Sequence, residues 1–200
     1  MIYILKYGNC GNIYAIENVY SKIGIHCKVT ASPSEIINPK KIILPGVGHF
    51  DIAMESLKKS KLDIFLKKIV EEDKTDILGI CVGYQLMAES SEEGHENGLG
   101  FFQDKVKRLT LRKYPMPHMG WNNVTNNNND PLFNNIDIKK GFYFLHNYHF
   151  EHDSIHAISH TNYEIKLTCA SRKGRICGVQ FHPEKSHING IQLLKNFAEY

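Results

Sequence analysis

The sequence predicts an α/β fold with a mainly parallel central sheet flanked by helices and antiparallel strands in its C-terminal half. Three observations carry that expectation. In the first half, short apolar runs alternate with segments whose apolar residues recur at helical spacing, the pattern of parallel strands joined by crossover helices. In the second half, strand-like runs follow one another with few helical patterns between them, which favours antiparallel pairing. The chain of 200 residues is 42% hydrophobic and 22% charged. At that length a chain buries roughly 70% of the surface its unfolded form exposes, so it needs no staple to fold.

The elements follow in order. Ile2 to Leu5 is a first strand. Ile13, Ile16, Val19, Tyr20 and Ile23 line one side of a helix, and Gly24 stands where a terminating glycine belongs. Ile25 to Thr30 and Lys41 to Leu44 read as strands, the latter stopped by Pro45-Gly46. Phe50 to Leu57 and Leu62 to Val70 are amphipathic helices. Asp76 to Ile80 is a strand, with Gly83 to Glu89 as the helix after it. Val106 to Leu111, Phe142 to Leu145, Ile155 to Ser159, Glu164 to Thr168 and Cys177 to Phe181 are strand-like, and Ile188 to Tyr200 closes the chain as a helix. Asn122 to Asp130, six of nine residues asparagine, reads as a surface loop. With no linker and no repeat, residues 1–200 are expected to form one domain.

Charge and cysteine content narrow the class. With 24 basic and 21 acidic residues the net charge is only +3, so no nucleic-acid partner is expected. No apolar run approaches the roughly 20 residues of a membrane-spanning helix, and Met1 to Lys6 lacks the features of a signal peptide. Cys10, Cys27, Cys81, Cys169 and Cys177 are odd in number and widely spaced, which suits reduced thiols in a cytoplasmic protein. His152, His156 and His160 recur every four residues, but no carboxylate or thiol completes a metal shell around them. Neither a metal nor another cofactor is called for.

Gly79-Ile80-Cys81-Val82-Gly83 lies between a predicted strand and a predicted helix, the setting of a nucleophile elbow. The sharp turn presents the thiol at the strand's carboxyl end, and the helix start favours a thiolate. A thiol also needs a base, and the base an orienting group. His182 and Glu184, in Gly178-Val179-Gln180-Phe181-His182-Pro183-Glu184, supply both. The glycine-rich Pro45-Gly46-Val47-Gly48 leaves backbone N–H groups free for an oxyanion, with Val82 as the other donor. On these residues alone a peptidase, an esterase or a non-catalytic module with the same fold remains open.

Longer segments carry a family resemblance. Ile43 to Phe50, Leu78 to Met87 with Ser91-Glu92-Glu93-Gly94, and Gly178 to Ser186 resemble the oxyanion, nucleophile and His/Glu blocks of the class I glutamine amidotransferases. Pro117-His118-Met119-Gly120-Trp121-Asn122 and Phe142 to Tyr148 are most similar to the glutaminase subunit of imidazole glycerol phosphate synthase. The resemblance covers nearly the whole chain and implies the class I amidotransferase fold. It implies that Cys81 attacks glutamine, that His182 and Glu184 complete a triad, and that Val47 and Val82 hold the oxyanion. Gly46, Gln85 and Glu93 would then bind the substrate. It also implies a heterodimer with a (β/α)8-barrel cyclase, into which ammonia is released through a tunnel for histidine biosynthesis, with Trp121 and the loop around Asn12 toward that partner. Two motifs depart from the family. Its Asp-Tyr-Gly-x-Gly-Asn becomes Lys6-Tyr7-Gly8-Asn9-Cys10-Gly11-Asn12, and its His-Ser-Tyr becomes His146-Asn147-Tyr148. The first departure keeps open a paralogous glutaminase that supplies ammonia for amidino groups on a bacterial surface sugar.

Overall fold

The computed structural model describes residues 1–9, 11–126, 129–151 and 154–200. Cys10 and His152 lie outside the described residues, as does part of the asparagine-rich stretch. In chain order the elements are β1 (Ile2–Leu5), α1 (Ile13–Lys22), β2 (Cys27–Thr30), β3 (Lys41–Gly46), α2 (Phe50–Lys59), α3 (Leu62–Glu71), β4 (Asp76–Cys81), α4 (Val82–Gln85), β5 (Ser90–Ser91) and β6 (Lys105–Arg108). They continue with β7 (His118–Asn122), β8 (Thr125–Asn126), β9 (Phe142–His146), β10 (Tyr148–Phe150), β11 (Ala157–Tyr163), β12 (Ile165–Lys173), β13 (Ile176–Val179) and α5 (His187–Glu199).

The main sheet runs β2-β1-β3-β4-β13-β12-β10-β6-β5, with β11 and β8 attached beside β12. From β2 to β13 every pairing is parallel. From β13 through β6 each pairing is antiparallel. The predicted split between parallel and antiparallel halves is therefore present. β1 is buried along its whole length, as a strand covered on both faces must be. Ile16 and Tyr20 of α1, Leu57 of α2, Leu66 of α3 and Leu194 of α5 are fully buried in the same core. Burying a large apolar side chain contributes about 1.5–3 kcal/mol, so these contacts hold the helices on the sheet.

Several details differ from the sequence reading. Pro45-Gly46 does not stop β3: Pro45 pairs with Ile80 and Gly46 with Cys81. A strand end tolerates proline's missing N–H. The helix after Cys81 is a single turn, Val82–Gln85, rather than a segment reaching Glu89. Tertiary contacts replace its continuation, with Leu99 N–H donating to Leu86 O and Phe102 N–H to Met87 O. β13 ends at Val179, so His182 lies beyond the strand. β5, β7, β8 and β10 are not anticipated. β7 pairs antiparallel with β9 as a separate two-stranded sheet, His118 opposite His146 and Trp121 opposite Tyr143. No described helix is long and apolar enough to cross a membrane.

Candidate active site

Three neighbouring strands bring the candidate residues to one edge. Cys81 ends β4, with Gly46 of β3 opposite it on one side. On the other side Val179 of β13 pairs with Ile80, and the chain runs on through Gln180 to His182. Because these strands are parallel, their carboxyl ends coincide, which is where ligands bind open α/β sheets.

Cys81 has φ 53° and ψ −113°, a strained conformation for a residue with a side chain. The surroundings hold it there by close backbone packing. A Cβ on Gly83 would stand 1.9 Å from Leu44 O, and one on Gly46 would stand 2.2 Å from Gly83 N. Only glycine at both positions lets β3 approach the elbow so closely.

Cys81 and His182 border the same cleft, where the sulfur raises the proton affinity of the imidazole. His182 Nδ1 in turn lies 2.8 Å from Glu184 Oε1. Asn12 Nδ2 donates to the same carboxylate oxygen at 2.8 Å. Burial by itself would lower the pKa of His182, but the Cys81 sulfur and the Glu184 carboxylate outweigh it and raise it to about 10. Burial would raise the Glu184 value, yet His182 and Asn12 hold that carboxyl below the ordinary range. The backbone of His182 is locked as well: its N–H donates to Tyr143 O at 2.8 Å, and Ser186 Oγ donates to its carbonyl at 2.6 Å.

A cleft of about 380 Å³ opens over the sulfur, lined by Val47, Val82, Gln85, Glu93, His146 and Tyr148 among others. Of the residues read from sequence, Cys81, His182, Val47, Val82, Gln85 and Glu93 all border it. Glu184 stands behind His182. Gly46 does not line the cleft among the described residues; it packs against the elbow instead. Glu93 Oε2 accepts Phe50 N–H at 2.8 Å, tying the cleft wall to the start of α2. Gln85 Nε2 donates to Tyr148 O at 2.9 Å and to Gln180 Oε1 at 3.0 Å, which leaves Gln85 Oε1 for a ligand.

The family model for class I glutamine amidotransferases matches residues 7–199. The chain belongs to that family. Two relatives match this amidotransferase from end to end, each named imidazole glycerol phosphate synthase subunit HisH. The one from Bdellovibrio bacteriovorus is 42% identical over 100% of both chains. The one from Methanococcus maripaludis, numbered HisH 2, is 45% identical over 100% of this chain and 99% of its own. Among solved structures, one described as a glutamine amidotransferase superposes with a TM-score of 0.75 at 17% identity, covering 99% of this chain and 97% of its own. At that identity the likeness shows the fold.

Three contributors to the amidotransferase cleft stand within motifs of the sequence but receive no catalytic role from it. Asn12 reaches Glu184 across 172 positions of chain. Gln180 Nε2 faces Cys81 Sγ at 3.7 Å. His146 Nδ1 lies 2.8 Å from Tyr148 O, and its Nε2 lies 2.9 Å from His118 Nδ1. Gln180 stands two residues before His182, and Asn12 and His146 lie in the two segments that depart from the family pattern, which are the signals that could have drawn attention to them. Among the described residues no group of three or more His, Cys, Asp or Glu side chains is placed to hold a metal ion.

Proposed function

We propose that this amidotransferase is the glutaminase subunit of an imidazole glycerol phosphate synthase, with Cys81 as nucleophile, His182 as acid–base and Glu184 as the group that orients it. The observation that carries the reading is that Cys81 and His182 border one cleft while His182 Nδ1 lies 2.8 Å from the Glu184 carboxylate behind it. The full-length likeness to the two HisH relatives supports the choice of synthase.

His182 takes the thiol proton as the sulfur attacks the side-chain carbonyl carbon of glutamine. A C–S bond forms and the carbonyl electron pair moves onto oxygen, where the Val47 and Val82 amides receive it. Collapse of this intermediate breaks the C–N bond, and His182 gives its proton to the departing ammonia. Water then adds to the thioester while His182 takes its proton. The C–S bond breaks, glutamate leaves, and the sulfur returns to the imidazolium. Gln85 Oε1 and the Glu93 carboxylate hold the amino-acid end of the substrate, and Gly46 shapes the oxyanion strand from behind.

The partner is a cyclase of the (β/α)8-barrel type, which receives the ammonia through a tunnel in a cytoplasmic heterodimer. The test is glutamate and ammonia release from glutamine, measured with and without the cyclase, for the wild type and Cys81→Ser. Stimulated release by the wild type and at least ~1,000-fold less by the variant is expected. Undiminished release by Cys81→Ser overturns the assignment of the nucleophile. Stimulation only by a barrel from a surface-sugar pathway overturns the choice of synthase.

A further inference from the structure

One polar side chain at the sulfur has no part in the triad. Gln180 follows β13 directly and is 1% exposed. Its backbone is fixed by N–H donation to Cys169 O at 2.8 Å. Its amide orientation is fixed by a chain of groups that can act in only one sense. Tyr148 O can only accept, so Gln85 turns its Nε2 toward it at 2.9 Å. That same Nε2 can only donate, so Gln180 offers its Oε1 at 3.0 Å. The Gln180 Nε2 is thereby turned to Cys81 Sγ, 3.7 Å away.

We propose that Gln180 is a further catalytic residue, whose amide N–H donates to the Cys81 sulfur and stabilises it as thiolate. The proposal rests on Cys81 being the nucleophile. Leu145 O, 3.8 Å from the sulfur, can only accept and gives nothing to an ionised sulfur. A hydrogen bond to a charged acceptor is roughly twice as strong as one between neutral groups, so Gln180 favours the ionised form. The same donor receives the sulfur when it leaves as thiolate during thioester breakdown. The geometry also links substrate recognition to the nucleophile, since Gln85 both borders the cleft and sets the Gln180 amide.

Two variants of matching length separate the donor from its scaffold. Gln180→Glu keeps an oxygen for Gln85 Nε2 but puts a carboxylate by the sulfur. Gln180→Met removes donor and acceptor together. Alkylation of Cys81 by iodoacetamide is followed against pH by mass spectrometry of the Cys81 peptide, and glutamine hydrolysis is measured with the cyclase present. In both variants the alkylation profile is expected to move up by about one pH unit, with kcat down about tenfold and KM within about twofold. A wild-type alkylation profile in Gln180→Glu overturns the proposal. So does an effect confined to Gln180→Met, which would assign Gln180 to holding Gln85. Undiminished hydrolysis by Cys81→Ser would instead remove the nucleophile reading itself, whatever the Gln180 variants do.

Discussion

At the scale of single residues, His182 is the group whose state is most dependent on its neighbours. Burial pulls its proton affinity down, and the Cys81 sulfur is the first of the contacts that push it up to about 10. Its stabilising contribution is therefore complete below the ordinary histidine value of about 6.5 and lost as pH rises through about 10. Removing the sulfur leaves burial opposed by Glu184 alone. In Cys81→Ala the imidazole NMR titration of His182 is expected to fall by more than about one pH unit. An unchanged titration would show that Glu184 suffices. Asn12 acts one bond further out, on the carboxylate that orients the imidazole. Asn12→Ala is expected to lower kcat for glutamine hydrolysis about tenfold, the loss typical of an outer partner that aims a catalytic group. Retention of full kcat would mean that His182 alone keeps Glu184 in place.

Among the elements, the β7–β9 ribbon explains how the cleft wall is held. Asn122 Nδ2 donates to His118 Nε2 at 3.2 Å, so His118 carries its proton on Nδ1 and donates to His146 Nε2. His146 then donates from Nδ1 to Tyr148 O. Both rings must be neutral for this order to exist. Burial pushes His118 down to about 4, and burial with the adjacent His118 pushes His146 down to about 3. A depressed histidine contributes stability above its unfolded value near 6.5, and the contribution is lost as pH falls toward the folded value. Between pH 7 and pH 5 the chain is expected to lose on the order of 4 kcal/mol from this pair, about 2 kcal/mol per ring, read from denaturant midpoints. The NMR shifts of both rings should stay those of neutral imidazole down to pH 5, and titration of either near 6.5 would refute the arrangement. The ribbon also marks where sequence reading stops. β1, β3 and β4 are legible because buried parallel strands are continuous apolar runs bounded by turn residues. His118-Met119-Gly120-Trp121-Asn122 has no such run, and its pairing with β9 depends on residues at least twenty positions away. Cys81, His182 and Glu184 stand out because their local motifs are tied to chemistry. Asn12 and Gln180 acquire their contacts only when β13 inserts beside β4, a pairing across about a hundred residues that leaves no local periodicity to read.

For the whole molecule, the same ribbon joins the cleft to an outer apolar face. Met119 and Trp121 alternate outward from β7, at 61% and 48% exposure, and Leu145 of β9 and Ile188 of α5 lie exposed as well. The Trp121 ring stacks on His187 with centroids 5.2 Å apart, which presents the indole as a fixed surface. Leu145 also lines the cleft, so one strand serves both the wall over Cys81 and the outer face. The proposed cyclase partner would have to take up ammonia near the sulfur, and large aromatic anchors are the residues that dominate protein interfaces. Trp121→Glu combined with Met119→Asp places two charges on this face at residues that do not themselves line the cleft. The pair is expected to weaken binding of the proposed cyclase partner by about 100-fold or more in calorimetry and to abolish its stimulation of glutamine hydrolysis. Cys81 alkylation in the isolated chain should match that of the wild type. Full binding and full stimulation by the double variant would place the partner on another face, and altered alkylation would mean that the substitutions had disturbed the cleft through β9.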